Sequence, residues 1–214
     1  MSQRSPIFRV RVKGPWACFT RPELRAERVS YEVMTPSAAR GILDAILWKP
    51  AIRWHIDRIY VLAPIRFDAF KRNEVSEKLR IGGAVHAFFA DVKREQRNTV
   101  LLRDVDYVIE AHFVMTAGAG PDDSLRKFEE MFRRRLEKGQ SFHHPYLGCR
   151  EFAASFEPAP DRWEVPRGLQ GEKDLGIMLL DLGFTDRYGH MPAVPQFFQA
   201  RLVDGRLEVP DVTS

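Results

Sequence analysis

Apolar residues recur along the chain at two spacings, and the switch between them marks the elements. In residues 7–13, IFRVRVK, apolar and basic residues alternate, which predicts a strand with one buried face and one basic face. Gly14-Pro15 is expected to end it, and residues 15–30 read as a long polar loop carrying Trp16, Phe19 and several arginines. In SYEVMTPSAARGILDAILWKP, a strand-like run at 31–34 leads into a helix start. Thr35 is a good N-cap, and Pro36 at the first helical position has no amide to lose. Ala38, Ile42, Ala45 and Ile46, with Leu43 and Leu47 beside them, give the helix one apolar stripe. Pro50 stops it, because proline disfavours helix in the residue before it and cannot continue the ladder. The helix therefore closes on Trp48 and Lys49, an aromatic and a cation.

Residues 52–64 form a second strand candidate, and 104–115, DVDYVIEAHFVM, alternates as a central strand should. Between them, residues 66–103 are expected to be an insertion, a hairpin or a loop, with IGGAVHAFF and the polar DVKREQRNT inside it. Pro121-Asp122-Asp123-Ser124 opens a second helix, with acids placed to suit the helix dipole. It runs to about Lys138 and ends at Gly139, with Leu125, Phe128, Met131, Phe132 and Leu136 on one face and arginines on the other. Short strands at 175–182, 196–202 and 207–209 close the chain. Up to about residue 155 the order is β-α-β-β-α-β, the α+β pattern of a ferredoxin-like (RRM-like) domain. Residues 1–155 are expected to form that domain, and 156–214 a small antiparallel sheet. Both helices would cover one sheet face, leaving the other, or a groove at its edge, for a ligand. RNA-binding domains use such a face.

Composition narrows the class. With 214 residues, 44% hydrophobic and 29% charged, this is a core-forming chain of one large or two small domains. No apolar run reaches the roughly 18 residues of a membrane helix, and residues 1–6 lack the apolar segment of a signal peptide. A cytoplasmic protein is expected. Cys18 and Cys149 have neither metal spacing nor a disulfide framework and read as small apolar side chains. Net charge is +4 and the pI about 9.2. The distribution says more. Residues 4–28 hold seven basic side chains against Glu23 and Glu27. Lys93, Arg94, Arg97 and Arg103 form a second cluster, and Arg126, Lys127, Arg133, Arg134, Arg135 and Lys138 a third. Three basic patches suit a polyanion such as nucleic acid.

Three longer stretches carry a family likeness: FTRPELRAERVSYEVMTPSAARGILDAILWKPAIRW, RNTVLLRDVDYVIEAHF and YLGCREF. Together they resemble the fifth CRISPR-associated (Cas) family in its type I-C (Dvulg) subtype, part of the RAMP superfamily of ferredoxin-like proteins. The likeness spans residues 7 to about 200. It implies an endoribonuclease that cuts precursor CRISPR RNA within each repeat, without metal or cofactor. Such a protein then stays on the 5′ handle beside other Cas subunits of the surveillance complex.

Metal-free cleavage uses the ribose 2′-hydroxyl as nucleophile and leaves a cyclic phosphate and a 5′-hydroxyl. The protein must supply a base, a cation for the developing phosphorane charge and an acid for the leaving oxygen, on top of in-line positioning. Some family members use a tyrosine at the end of the first helix and a Lys-His pair in the second. Here those positions hold Leu47 and Lys127-Phe128, so only the lysine matches. Lys127 is the leading catalytic candidate. His143 and His144 are the replacement bases, since imidazole titrates near neutrality, and Tyr31 could offer a phenol. His112 reads first as a sheet-face histidine, and His86 falls in the insertion. For RNA binding, Trp48 could stack a base and Lys49 hold a phosphate, with Arg97, Arg103, Arg133 and Arg134 along the backbone. A non-catalytic subunit capping the 5′ handle is the alternative. A metal-dependent DNase ranks below both for want of a carboxylate–histidine cluster, although the charge would also allow DNA to bind in vitro.

Overall fold

The computed structural model describes residues 4–24, 27–75, 94–183 and 194–211. Nine strands and two α-helices are present among them. In chain order they are β1 (Phe8–Ala17), β2 (Arg28–Val29), α1 (Pro36–Ile46), β3 (Ile52–Val61), β4 (Phe67–Val75), β5 (Arg94–Met115), α2 (Leu125–Glu137), β6 (Ser155–Pro158), β7 (Glu172–Gly183), β8 (Val194–Val203) and β9 (Arg206–Glu208). One sheet runs β6-β1-β5-β3-β9-β8-β7, with every neighbouring pair antiparallel. The arrangement is α+β. Among the described residues no helix is long and apolar enough to cross a membrane.

The core follows from the alternation. Phe8, Val10 and Val12 of β1 point to the helix side with Trp54 of β3 and Phe113 of β5. Phe132 of α2 completes an aromatic cluster, 4.8 Å from Phe8 and 4.6 Å from Trp54 between ring centroids. Ile42, Leu43 and Ile46 of α1 join the same core. Truncating Phe132 to alanine would cost about 4 kcal/mol, because its neighbours come from three different elements and cannot collapse together.

Both helices begin as the sequence dictates. The Thr35 hydroxyl accepts from the Ala38 amide ahead of Pro36, and the Ser124 hydroxyl accepts from Lys127 N–H. Asp122 and Asp123 stand before that cap rather than in the first turn of α2. Gly139, at φ +61°, carries the left-handed residue that ends α2.

Two expectations change and a third narrows. β1 does not stop at Gly14-Pro15 but continues to Ala17. β6 has ended opposite Lys13, so beyond it β1 pairs with β5 alone and a proline fits on the open edge. Of the hairpin or loop expected over 66–103, the described residues are the two antiparallel arms of a hairpin, β4 against Arg94–Leu102 of β5, while 76–93 lie outside the described residues. β5 is therefore one strand of 22 residues, bent where Asp104 takes φ +53°. Finally, the tail strands do not stand apart. β9 pairs with β3, so β7, β8 and β9 extend the main sheet, and β7 packs on α1.

Candidate nucleic-acid interface

The strand with the basic face was expected to offer it to a ligand; the structure closes it. Arg9, Arg11 and Lys13 share the face opposite the aromatic core, but each meets an acid. Arg9 Nε lies 2.8 Å from Glu110, Arg11 makes two bonds to Asp106 at 3.0 and 2.7 Å, and Lys13 reaches Glu157 at 2.8 Å. Glu110 is only 2% exposed and also accepts from Arg58 at 3.1 Å. Hydrogen bonds from Arg58 to Glu110 and Glu208 push its guanidinium further up. Trp163 then lies against Arg9 and Tyr60, 4.9 Å from the Tyr60 ring, so the chain after β6 crosses this face. Further along the first basic cluster, Arg28 pairs with Glu74 and Glu151.

A different surface forms where α1 ends. The last carbonyls of a helix have no partner within it and must find one elsewhere. Here three groups outside the helix supply it, two of them distant in sequence. Phe142 N–H donates to Ala45 O at 2.8 Å, Arg135 Nη1 to Ile46 O at 2.6 Å, and Trp54 Nε1 to Leu47 O at 3.0 Å. Leu47 is turned inward and fully buried, which leaves Trp48 outside with 62% of its surface exposed. Phe142, docked beside the same helix end, is 84% exposed. His143 and His144 follow it and are exposed, lining a hollow with Tyr146 and Arg150.

Asp44, one turn back on α1, faces this region. Burial pushes its carboxyl up to about 6, Arg40 opposes the shift, Asp181 adds to it, and His143 lies close enough to oppose it. A carboxyl raised in this way can hold or pass a proton. Pattern reading passed over Asp44 and Phe142, and counted Arg135 only as part of a basic cluster. No local signal separates a surface aspartate from one that shares Arg40, at 3.6 Å, with Asp181, at 2.6 Å from the same guanidinium.

At the start of α2, Lys127 Nζ sits 2.9 Å from Asp123 Oδ1 and donates to Asp122 O at 3.4 Å. The Lys127 hydrogen bond, then the Gly120 amide, hold Asp123 below the usual carboxylate range, and Lys49 contributes to the same end. Thr116, bonded to Pro50 O at 2.6 Å, ties the loop ahead of α2 to the segment after Trp48. Trp48 and Lys49 follow the end of α1, Phe142 docks there just ahead of His143 and His144, and Lys127 stands at the start of α2 on Asp123.

The remaining candidates lie elsewhere. Tyr31 is 1% exposed, burial raises its phenol, and Arg21 covers its ring at 4.5 Å, so it is a packed aromatic. Arg97 pairs with Glu95 at 2.8 Å on the β4–β5 hairpin. Arg103 is exposed beside the bend in β5, its amide bonded to Arg66 O. Arg133 lies over the Phe8 ring at 5.2 Å, and Arg134 is exposed in the last turn of α2. His112 is a buried sheet histidine bonded to Asp57 at 3.0 Å and stacked on His55. His86 and His190 lie outside the described residues. Among the described residues no cluster of side chains has the makings of a metal site.

The family model described as CRISPR-associated protein (Cas_Cas5), Cas_Cas5d, matches residues 7–210. A CRISPR pre-crRNA endoribonuclease Cas5d of Mannheimia succiniciproducens is 48% identical over 217 residues, covering 95% of this chain and 94% of that one. Its counterpart of the same name in Thermus thermophilus is 46% identical, covering 95% and 91%. A crystal structure of a CRISPR-associated protein superimposes with a TM-score of 0.74 over 99% of this chain and 95% of that one, at 24% identity, a likeness of fold.

Proposed function

We infer function from one premise: the chain belongs to the CRISPR-associated Cas5 family, in its Cas5d branch. It is an endoribonuclease that cuts precursor CRISPR RNA within the repeat. The observation that carries this is near-half identity, over more than nine-tenths of both chains, to two proteins named for that activity. The product stays on the protein by its 5′ handle, and the protein joins other Cas subunits around it.

The strand order β6-β1-β5-β3, all antiparallel with α1 and α2 as crossovers, supports a ferredoxin-like reading of this part. Residues 1–155 are taken as the RNA-handling unit and 156–214 as its extension, although β6 (Ser155–Pro158) straddles that boundary.

The reacting groups are assigned to the surface at the end of α1. Lys127 exchanges Asp123 for the scissile phosphate and offsets charge on the phosphorane. His143 or His144 removes the 2′-hydroxyl proton or protonates the leaving oxygen, and Asp44 steadies the charged imidazole of His143. Trp48 stacks an unpaired base and Lys49 holds a backbone phosphate. Arg134, Arg133, Arg103 and Arg97 extend the path by phosphate contacts.

One observation favours a second reading, a subunit that binds the handle without cutting. The positions of the family's tyrosine and histidine hold Leu47 and Phe128, which are 0% and 2% exposed and packed in the core. Purified protein, one repeat RNA and EDTA on a denaturing gel separate the two. Cleavage to a cyclic-phosphate product, abolished by a 2′-deoxy nucleotide at the cut site, is expected. No product after long incubation would establish the binding-only reading.

A further inference from the structure

Two thiols lie against each other away from the surface just described. Cys18 follows β1 and is buried, and Cys149 is half-buried in the turn between Tyr146 and Ala153. Gly148 makes the approach possible. Its φ is +84°, and a Cβ there would collide with the Cys18 carbonyl. Cys18 N–H donates to Leu147 O at 3.0 Å, and the Cys149 S–H donates to Cys18 O at 3.7 Å. From β2, Arg28 Nη1 donates to Cys149 Sγ at 3.6 Å. The Cys18 contact, joined by Arg28, holds the Cys149 thiol below its ordinary value against its burial. The same contact and burial push Cys18 up. A thiolate beside a guanidinium reacts readily with peroxides, and a thiol on the neighbouring residue can resolve the product.

We propose that Cys149 is a modification site for hydroperoxides and that Cys18 resolves the oxidised sulfur as an intramolecular disulfide. The Cys149 thiolate attacks a peroxide oxygen; an S–O bond forms, the O–O bond breaks, and hydroxide leaves. The Cys18 thiol then attacks the Cys149 sulfenic acid. The S–S bond forms, the S–O bond breaks, and the hydroxyl departs as water with the Cys18 proton. The two sulfurs together lose two electrons, and the peroxide gains them. The bond fastens the end of β1 to the turn that follows His143 and His144.

The test needs no RNA, so its outcome is independent of the nuclease reading. Reduced full-length protein is treated with stoichiometric hydrogen peroxide, quenched, unfolded and alkylated with iodoacetamide, then mapped by mass spectrometry. A monomer with both thiols blocked and a Cys18–Cys149 peptide link is expected. In Cys18→Ser, Cys149 should stop as a sulfenic acid that dimedone traps. In Cys149→Ser, Cys18 should stay reduced. Arg28→Gln should slow alkylation of folded Cys149 at pH 7 by roughly tenfold. The proposal is overturned if treated wild-type protein keeps both thiols alkylatable, carries over-oxidised Cys149 beside free Cys18, or links only between molecules.

Discussion

The face of β1 and the end of α1 are both basic in sequence, and only one of them is basic in space. On β1, each of Arg9, Arg11 and Lys13 has its own carboxylate within 3 Å, and Trp163 closes over the group. Around the end of α1, Lys127 holds Asp123 with Lys49 adding to the same field, while Trp48 and Phe142 project into solvent. A count of cations locates charge along a chain; the cross-strand partner decides whether that charge remains for a ligand.

Substitutions at the two regions should therefore behave oppositely. Lys127→Ala should slow single-turnover cleavage of repeat RNA by on the order of 100-fold while binding falls less. A loss confined to affinity would move Lys127 from catalysis to binding.

Asp44 gives the next effect, on stability. Its folded value lies above the unfolded one, so its contribution is complete below about pH 4 and is lost as pH rises through about 6. Asp44→Asn should remove about 2 kcal/mol of that pH dependence in urea titrations between pH 4 and 7. An unchanged slope would mean that Asp44 is not sequestered.

Trp48→Ala should weaken RNA binding by roughly tenfold, and stability should stay within about 0.5 kcal/mol because the ring is mostly exposed. Equal losses of binding and stability would make Trp48 a core residue.

The smallest effect belongs to the sheet face. Arg11→Gln should cost about 1 kcal/mol of stability, since the bidentate pair with Asp106 is partly screened by water, and leave RNA affinity unchanged. If Arg11→Gln weakened RNA binding as much as Trp48→Ala, the contrast between the two regions would fail.

What the sequence disclosed divides along the same line. Caps and stops are local, so Thr35-Pro36, Ser124 and Gly139 placed both helices closely. Alternation gave β3 and the inner part of β5 for the same reason. Pairing is not local. Glu110 and Asp106 stand 101 and 95 residues from the arginines they neutralise, and no window along the chain could show it. Tyr31 looked available because it precedes a helix cap; only the packing of β7 and Arg21 around it reveals a buried ring. Phe142 reads as an ordinary apolar residue past a helix end until its amide is seen on Ala45.

The way α1 is finished also sets an order of events during synthesis. The groups that close its last turn come from β3 and, 89 residues downstream of Ile46, from Arg135. A nascent chain that has not yet emitted α2 holds this helix with its terminal carbonyls open to water. The ribosome must deliver nearly two-thirds of the polypeptide before the neighbourhood of Trp48 can take its final shape. Truncated chains ending ahead of α2 should accordingly show rapid amide exchange around Leu47, and the whole chain slow exchange there.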